Sequence, residues 1–402
     1  MEIEKKIKLN SLLLGLYISM SMLTKVITSI YSFENNILLV TGLIFFVSLG
    51  INKLKMSPIF VVFNFLVLIL ILLSYYRITD FTYLFNYLYK YLIYGLVATY
   101  LISFKSNFPF VMKVVNTIFF IFTIVLVLVY IPMIKTSTNL DFTMDLSYTS
   151  MIGICSVLLS YKYYKKNKKV LLVNILSLII NMWYLLILSN NRGALFTLLV
   201  LCFLLIVSNI KRITTKILLI TSSIIASLIV INNLEYYLTK IYSFYLTSFN
   251  SRINWLERFL YQIRKDDIMT GRDSLYKDAY SIFVDNPFFG SGVGFFELSH
   301  NGQYTHNFLL QFLVEFGIVF SGFLFLVIIV GLVYIVKSSE LTESTNFMRY
   351  FFILSIPRLL ISSTYWELQF FWLYLFLCLV FIIRRLLKKQ KLLDFEVNYA
   401  ND

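Results

Sequence analysis

The chain has 402 residues, of which 59% are hydrophobic and 14% charged, and its mean hydropathy is +0.80. Soluble domains are roughly 45–50% apolar, so this composition excludes a soluble globular protein and indicates an integral membrane protein. The formal net charge of +14 lies in short segments between apolar runs, not on a basic face, which excludes nucleic-acid binding. The unbroken apolar runs favour helices over a barrel, whose strands would alternate apolar and polar residues.

Twelve transmembrane helices are predicted from these runs. They cover approximately residues 9–31, 37–52, 57–76, 82–104, 114–134, 146–161, 170–189, 193–210, 217–234, 306–336, 350–362 and 367–383. The eleventh is short, and Pro357 is expected to interrupt it. The predicted fold class is an all-α integral membrane protein of about twelve transmembrane helices, with one large extracytoplasmic loop that contains amphipathic helices.

The domain organisation follows from these spans and from the charges between them. Helices 1–9 occupy residues 1–234, the loop occupies 235–305, and helices 10–12 with a C-terminal tail occupy 306–402. Lysines and arginines concentrate in alternate connections, beginning before the first span and ending with "RRLLKKQK" after the last. Because positive charge marks the cytoplasmic side, we expect both termini in the cytoplasm and the loop outside.

The loop contains a predicted amphipathic helix, "DSLYKDAYSIFVDNP", which begins after Gly271 and ends at Pro287. Its apolar face is formed by residues at helical spacing, namely Leu275, Ala279, Ile282 and Phe283. With its many aromatic residues, the loop is expected to lie on the outer membrane surface and cover a cavity. The alternating glycines that follow, Gly290, Gly292 and Gly294, are predicted to turn the chain sharply back towards the membrane.

Ionisable residues inside predicted spans are candidates for function, because a charge in the membrane is costly. Four lie in the outer halves of their helices: Lys25, Lys90, Glu315 and Arg358. The alternative for each is that the side chain only reaches the outer membrane interface.

Three further elements are predicted on the outer face. Arg192 lies in the turn "SNNRGA", and Arg272 lies just ahead of a helix, where unpaired N–H groups favour an anion. His306 begins span ten, followed by a polar stripe formed by Asn307, Gln311 and Glu315. The alternative for His306 is an ordinary interfacial residue.

These residues predict a cationic, partly embedded pocket that opens outward. Arginine suits phosphate oxygens, which it binds in a bidentate manner. A lipid-linked sugar diphosphate would place its phosphates at the membrane surface, and His306 has a suitable pKa for a base that activates an acceptor hydroxyl. The chain has two histidines, and no pair of outer carboxylates is suited to a metal, so no metal and no cofactor is predicted.

The stretch "GRDSLYKDAYSIFVDNPFFGSGVGFF", the later "HNFLLQFLVEFGIV" and the turn "NNRGA" resemble the O-antigen ligase and polymerase family of bacterial polysaccharide assembly. The resemblance covers roughly residues 190–320, with Asn191 where the family usually has Ser. It implies a fold like that of C-type glycosyltransferases and metal-independent glycosyl transfer from an undecaprenyl-diphosphate-linked donor.

The resemblance also implies roles for individual residues. Arg192 and Arg272 would contact the diphosphate, and His306 would activate or orient the acceptor hydroxyl. The supporting residues would be Tyr276, Asn307 and Glu315, with Gln311 on the same polar stripe. Further substrate-binding candidates, chosen from charge and location alone, are Arg252, Arg258 and Arg358.

The leading hypothesis is a polymerase of O-antigen or capsule, which joins lipid-linked repeat units on the outer face of the bacterial plasma membrane. Its partners would be the undecaprenyl-diphosphate-linked donor and acceptor, membrane lipids and a chain-length regulator protein. A ligase that moves finished glycan to lipid A core or protein is the first alternative. A flippase for the same lipid-linked sugars is the second, although flippases often have symmetrical halves with broken helices.

Overall fold

The structure is a computed structural model that describes residues 2–30, 36–77, 81–136, 140–189, 191–249, 254–265, 271–338 and 342–389. Within these ranges the chain forms nineteen α-helices and no β-strand. The helices are α1 Glu2–Ile18, α2 Met20–Thr28, α3 Asn36–Ile51, α4 Pro58–Leu73, α5 Phe81–Lys90, α6 Val97–Ile102, α7 Phe108–Val125, α8 Ile131–Thr136, α9 Leu140–Tyr164, α10 Lys168–Trp183, α11 Arg192–Asn209, α12 Ile213–Asn232, α13 Leu234–Phe249, α14 Asn254–Arg264, α15 Arg272–Asp285, α16 Phe295–Ser299, α17 Phe308–Lys337, α18 Glu343–Ile361 and α19 Gln369–Lys389. Short π-helical segments connect α5 to α6 and α7 to α8, and another extends α10.

Each predicted span coincides with one of these helices or with consecutive ones. Within the described ranges, seven helices are long and apolar enough to cross a membrane, or eight if α1 and α2, bent by 61° at Ser19, count as one span. The all-α membrane class is therefore confirmed in its coarse form. The count of twelve spans, the side of the membrane on which the loop lies and the three-part division stay predictions.

Helix α18 lies at the centre of the bundle, where it packs against α7, α9, α11, α17 and α19. Nearly all of its side chains are buried, including those of Asn346, Arg349 and Ser355. Because protein surrounds it, α18 tolerates polar residues that a lipid-facing helix would not.

The expected interruption of this helix at Pro357 is wrong. Helix α18 continues through Pro357 and ends at Ile361. A proline removes one backbone donor, but neighbouring helices stabilise such a position inside a membrane bundle. Arg358 consequently projects from regular helix and not from a broken one.

Helix α12 shows the opposite environment. Its apolar side chains, such as Ile224, Ile225 and Leu228, are more than half exposed. An exposed apolar helix of this length is the expected surface for contact with lipid tails.

The segment between α15 and α16 closes a break in α17. Gly317 has φ 65° and ψ −173°, which interrupts the helix. The backbone groups released there are paired by the approaching loop: Ile318 N donates to Pro287 O at 2.7 Å, and Gly292 N donates to Glu315 O at 3.1 Å. A Cβ on Gly290 or Gly317 would overlap the opposing backbone. The glycines therefore allow the loop backbone to approach α17 closely enough to pair the groups released at the break.

The predicted amphipathic helix of the loop is confirmed as α15. It begins at Arg272, directly after Gly271, and ends two residues before Pro287. Its predicted apolar face packs in one cluster with Phe296 and Val314; the four residues of that face are Leu275, Ala279, Ile282 and Phe283. Helix α15 is thereby fixed to the N-terminal part of α17.

Candidate functional site

Arg272 is the first residue of α15, and Gly271 before it has the left-handed φ of 75°. The Arg272 Nη1 atom donates to the carbonyl of Ile361, at the end of α18, over 2.5 Å. This bond uses only part of a guanidinium that carries five N–H donors. The remaining donors are available for an anion beside the helix N-terminus.

His306 lies between α16 and α17 in the left-handed region, with φ 55°. Its ring lies against Tyr304, with centroids 4.1 Å apart, and its buried Nδ1 atom has no hydrogen-bond partner. Burial and, second, the charge of Arg272 lower the pKa of His306 to about 4. The imidazole is therefore neutral near pH 7, as a proton acceptor must be.

Arg358 joins this pair from α18. Its guanidinium lies 4.1 Å from the ring centroid of Tyr148, and its buried Nε atom has no partner. The charges of both Arg358 and Arg272 act on the Tyr304 hydroxyl, opposing the rise that burial causes in the pKa of Tyr304. Tyr304 therefore contacts His306 and lies within range of the charges of both arginines, and we name this group the arginine–histidine cluster: Arg272, Arg358, Tyr304 and His306.

The two lysines inside spans have a different environment. Lys25 pairs with Asp145 at 2.5 Å, and Lys90 pairs with Glu367 at 2.8 Å. Within the described ranges, by contrast, no carboxylate forms an ion pair with Arg272 or Arg358. In the part of the chain that the structure describes, Arg272 and Arg358 therefore carry positive charge that no carboxylate neutralises, and an anion site needs such charge.

Arg192 is the first residue of α11, and its side chain contacts α14. Its guanidinium lies 4.6 Å from the ring centroid of Phe259 in α14. Asn191 caps the helix by accepting from Ala194 N at 3.1 Å, so Asn performs the capping function for which Ser is also suited. Gly193 lies directly beside the hydroxyl of Tyr148, the residue on which Arg358 stacks.

Two residues of the polar stripe, Gln311 and Glu315, are buried on α17. Gln311 and Glu315 are each 1% exposed, and Gln311 donates to Glu315 at 2.9 Å and to Glu297 at 3.1 Å. Asn307 caps α17 by accepting from Leu309 N at 3.0 Å. In this structure the three side chains bind protein groups.

The remaining predicted site residues lie at different depths. Tyr276 is half-buried on α15, one turn from Arg272, whereas Arg258 is exposed on α14. Arg252 lies outside the described residues.

A separate cleft of about 360 Å³ opens between α15 and α16. Asp278, Asp285 and His300 are among its lining residues, and His300 contacts Asp278 at 3.3 Å. Because its carboxylates would repel phosphate, this cleft is less suited to a diphosphate than the arginine–histidine cluster.

The structure adds residues that the sequence argument missed, namely Tyr148, Tyr304 and the connection between α18 and α19. In that connection, Ser363 N donates to the Tyr304 hydroxyl at 3.2 Å, and the Ser362 and Tyr148 hydroxyls lie 2.7 Å apart. The sequence feature that could have identified this connection is the polar stretch "SSTY" between two apolar runs.

Comparison with known proteins locates a family domain over this region. Residues 176–327 match the family model described as O-antigen ligase, a range that includes Arg192, Arg272 and His306. No curated protein and no solved structure matches the chain. The family resemblance inferred from the motifs is thereby confirmed for residues 176–327, which match the O-antigen ligase model within a chain that has several helices long and apolar enough to cross a membrane.

Proposed function

We propose that the protein is a polymerase of surface polysaccharide, O-antigen or capsule. It transfers glycan from an undecaprenyl-diphosphate-linked donor to a hydroxyl of another lipid-linked repeat unit, on the outer face of the bacterial plasma membrane. The observation that carries this proposal is the arginine–histidine cluster, in which Tyr304 contacts the neutral imidazole of His306 and is acted on by the charges of Arg272 and Arg358, neither of which forms an ion pair with a carboxylate in the described ranges. The O-antigen ligase domain supports the same class of chemistry.

The donor diphosphate would bind to Arg272 and Arg358, with Arg192 approaching from α11. Guanidinium groups hold phosphate oxygens in a bidentate manner and keep their charge in a medium of low dielectric constant. The polyprenyl chain would extend into the lipid, and the sugars would project away from the membrane.

The reaction is a displacement at the anomeric carbon of the donor sugar. The acceptor hydroxyl oxygen forms a bond to this carbon, the bond from the carbon to the phosphate oxygen breaks, and undecaprenyl diphosphate leaves with the electron pair. The hydroxyl proton passes to His306. The arginines stabilise the negative charge that develops on the leaving group.

The environment of His306 suits a base that strengthens when the donor binds. In the free protein, burial and Arg272 hold the pKa of His306 at about 4. A bound diphosphate would offset the charge of Arg272 and raise the pKa of His306, so the imidazole would become more basic in the complex.

The test is chain elongation by the purified protein in lipid vesicles, with a lipid-linked repeat unit as substrate. Arg272→Ala and His306→Ala should each abolish long glycan while the protein still inserts and folds. Arg264→Ala and His300→Ala are matched controls, since Arg264 is exposed and paired with Glu235, and His300 lies outside the cluster. Wild-type chain lengths in both cluster variants would refute the proposal.

A ligase is the second candidate, and the description of the matching family favours it. Deletion in cells separates the two. Loss of a polymerase leaves single repeat units on the product, whereas loss of a ligase leaves long polymer on undecaprenyl diphosphate. The role of a chain-length regulator would be tested by deleting the regulator and measuring the glycan lengths by gel electrophoresis.

A further inference from the structure

The connection between α18 and α19, here the 361–366 segment, contacts each part of the site in turn. The Ile361 carbonyl accepts from Arg272, and Ser363 N donates to Tyr304, the ring neighbour of His306. The next three residues turn inward: Thr364 accepts from Gln311 at 3.0 Å, and Tyr365 and Trp366 donate to Glu315. One short segment therefore joins the arginine–histidine cluster to a buried carboxylate.

Glu315 is held entirely by neutral donors. The Tyr365 hydroxyl donates to Oε2, Trp366 Nε1 donates to Oε2 at 3.1 Å, and Gln311 donates to Oε1 at 2.9 Å. Within the described ranges no lysine, arginine or histidine forms an ion pair with Glu315. A buried carboxylate without a cation depends on such donors, so the donors and Glu315 fix one another.

The backbone of Glu315 has a second attachment. Its carbonyl accepts from Gly292 N at 3.1 Å, in the loop that follows α15. Helix α15 carries Arg272 at its other end. Glu315 thus contacts two parts of the chain that adjoin Arg272. One is the loop after α15, the helix that begins at Arg272. The other is the 361–366 segment, in which the Ile361 carbonyl binds the Arg272 guanidinium.

Two residues of the cluster region have strained backbone. His306 has φ 55° and Ser363 has φ 75°, although neither is a glycine. Such conformations persist only where the surroundings determine them, and they concentrate at functional sites. The contacts of the 361–366 segment provide those surroundings.

We propose that Glu315 is a positioning residue, which does not touch substrate but holds the 361–366 segment so that Ile361 and Ser363 keep Arg272 and His306 in place. The inference deepens the proposed function and rests on it for the roles of Arg272 and His306.

The experiment compares wild type, Glu315→Gln and Glu315→Leu in the full-length protein, with Glu343→Gln as a matched control at the opposite end of α18. The pKa of His306 is measured by ¹⁵N NMR of histidine-labelled protein, and elongation is measured in the same samples. In Glu315→Leu, release of the segment should move the pKa of His306 upward from about 4 towards its ordinary value of 6.5 and lower kcat about 100-fold, with a smaller change in KM.

The direction of the shift distinguishes positioning from simple charge removal. Removal of a negative charge from the surroundings of an imidazole lowers its pKa, whereas displacement of Arg272 or opening of the pocket raises the pKa of His306. Glu315→Gln retains a side-chain carbonyl acceptor. Its activity should therefore lie between those of wild type and Glu315→Leu, and its upward shift in the pKa of His306 should be smaller than that of Glu315→Leu. An unchanged pKa in folded Glu315→Leu would overturn the proposal.

If Glu315→Leu does not fold, Tyr365→Phe removes one donor with little change in volume, and Trp366→Phe removes another at the cost of a smaller ring. Each should produce a smaller shift in the same direction, and no shift in either would overturn the proposal. The NMR titration does not depend on activity, so it stands even if His306→Ala elongates glycan normally and the proposed function fails.

Discussion

The two arginines of α18 show how one residue type is used at the two ends of one helix. Arg349 is 3% exposed, and its Nη2 atom donates to the carbonyls of Ile335 and Ser338 at 3.2 and 2.9 Å. Arg358 stacks on Tyr148, and within the described ranges no acceptor binds its terminal nitrogens. The Nε atoms of both lack a partner, so the difference lies in the terminal nitrogens.

The carbonyls that Arg349 binds belong to the C-terminal end of α17, where Lys216 also donates to Val336 O at 2.6 Å. Cations at a helix C-terminus satisfy its free carbonyls and the negative end of its dipole. Arg349 and Lys216 therefore bind carbonyls of the protein itself, whereas at the other end of α18 no hydrogen-bond acceptor in the described ranges binds the terminal nitrogens of Arg358. Four predictions test this comparison.

The largest effect is expected for Arg358→Met, which removes the charge and keeps an apolar side chain over Tyr148. Loss of one charged donor to the leaving diphosphate should lower elongation about 100-fold or more, with little change in the thermal midpoint. The measurement is kcat in vesicles together with thermal unfolding in detergent. Arg358→Met with normal kcat would show that the open guanidinium does not bind substrate.

Arg349→Met should have the reverse effect. The carbonyls of Ile335 and Ser338 lose a donor, which should cost about 1–3 kcal/mol of folding free energy, while the activity per folded molecule stays near wild type. Chemical unfolding measures the loss, and elongation normalised to folded protein is the control. A fall in normalised activity as deep as that of Arg358→Met would break the comparison.

The open end should also respond to anions through His306. Inorganic diphosphate should raise the pKa of His306 from about 4 by roughly one unit, equivalent to about 1.4 kcal/mol. Since only the neutral imidazole accepts a proton, activity is lost as pH falls through this pKa, and the acid limb of kcat should lie at higher pH than that of kcat/KM. ¹⁵N NMR titration measures the shift, and Arg272→Ala should remove it.

The smallest effect is expected for the paired lysine Lys25. Asp145 is 52% exposed, so a double-mutant cycle with Lys25→Met and Asp145→Asn should give a coupling of about 0.2–1 kcal/mol. Raising the salt concentration should reduce it further. A coupling of several kcal/mol would place this pair in a far drier environment than its exposure indicates.

Several features of the protein were determined by local sequence. Apolar runs long enough to span a membrane predicted the helices, and the spacing of Leu275, Ala279, Ile282 and Phe283 predicted α15 and the face it buries. Gly290, Gly292 and Gly294 all have positive φ, as the predicted sharp turn requires. The motifs around Arg192, Arg272 and His306 led to the family whose model matches this region.

Other features were decided by contacts between residues far apart in the chain. Four in-span charges had similar sequence contexts, yet tertiary packing pairs Lys25 and Lys90 with acids, surrounds Glu315 with neutral donors and leaves Arg358 open. The continuity of α18 through Pro357 and the convergence of the 361–366 segment on the cluster also depend on neighbouring helices. Helix formation follows from local periodicity and backbone hydrogen bonding, whereas the partner of a buried polar group depends on which distant segments the fold brings within hydrogen-bond distance.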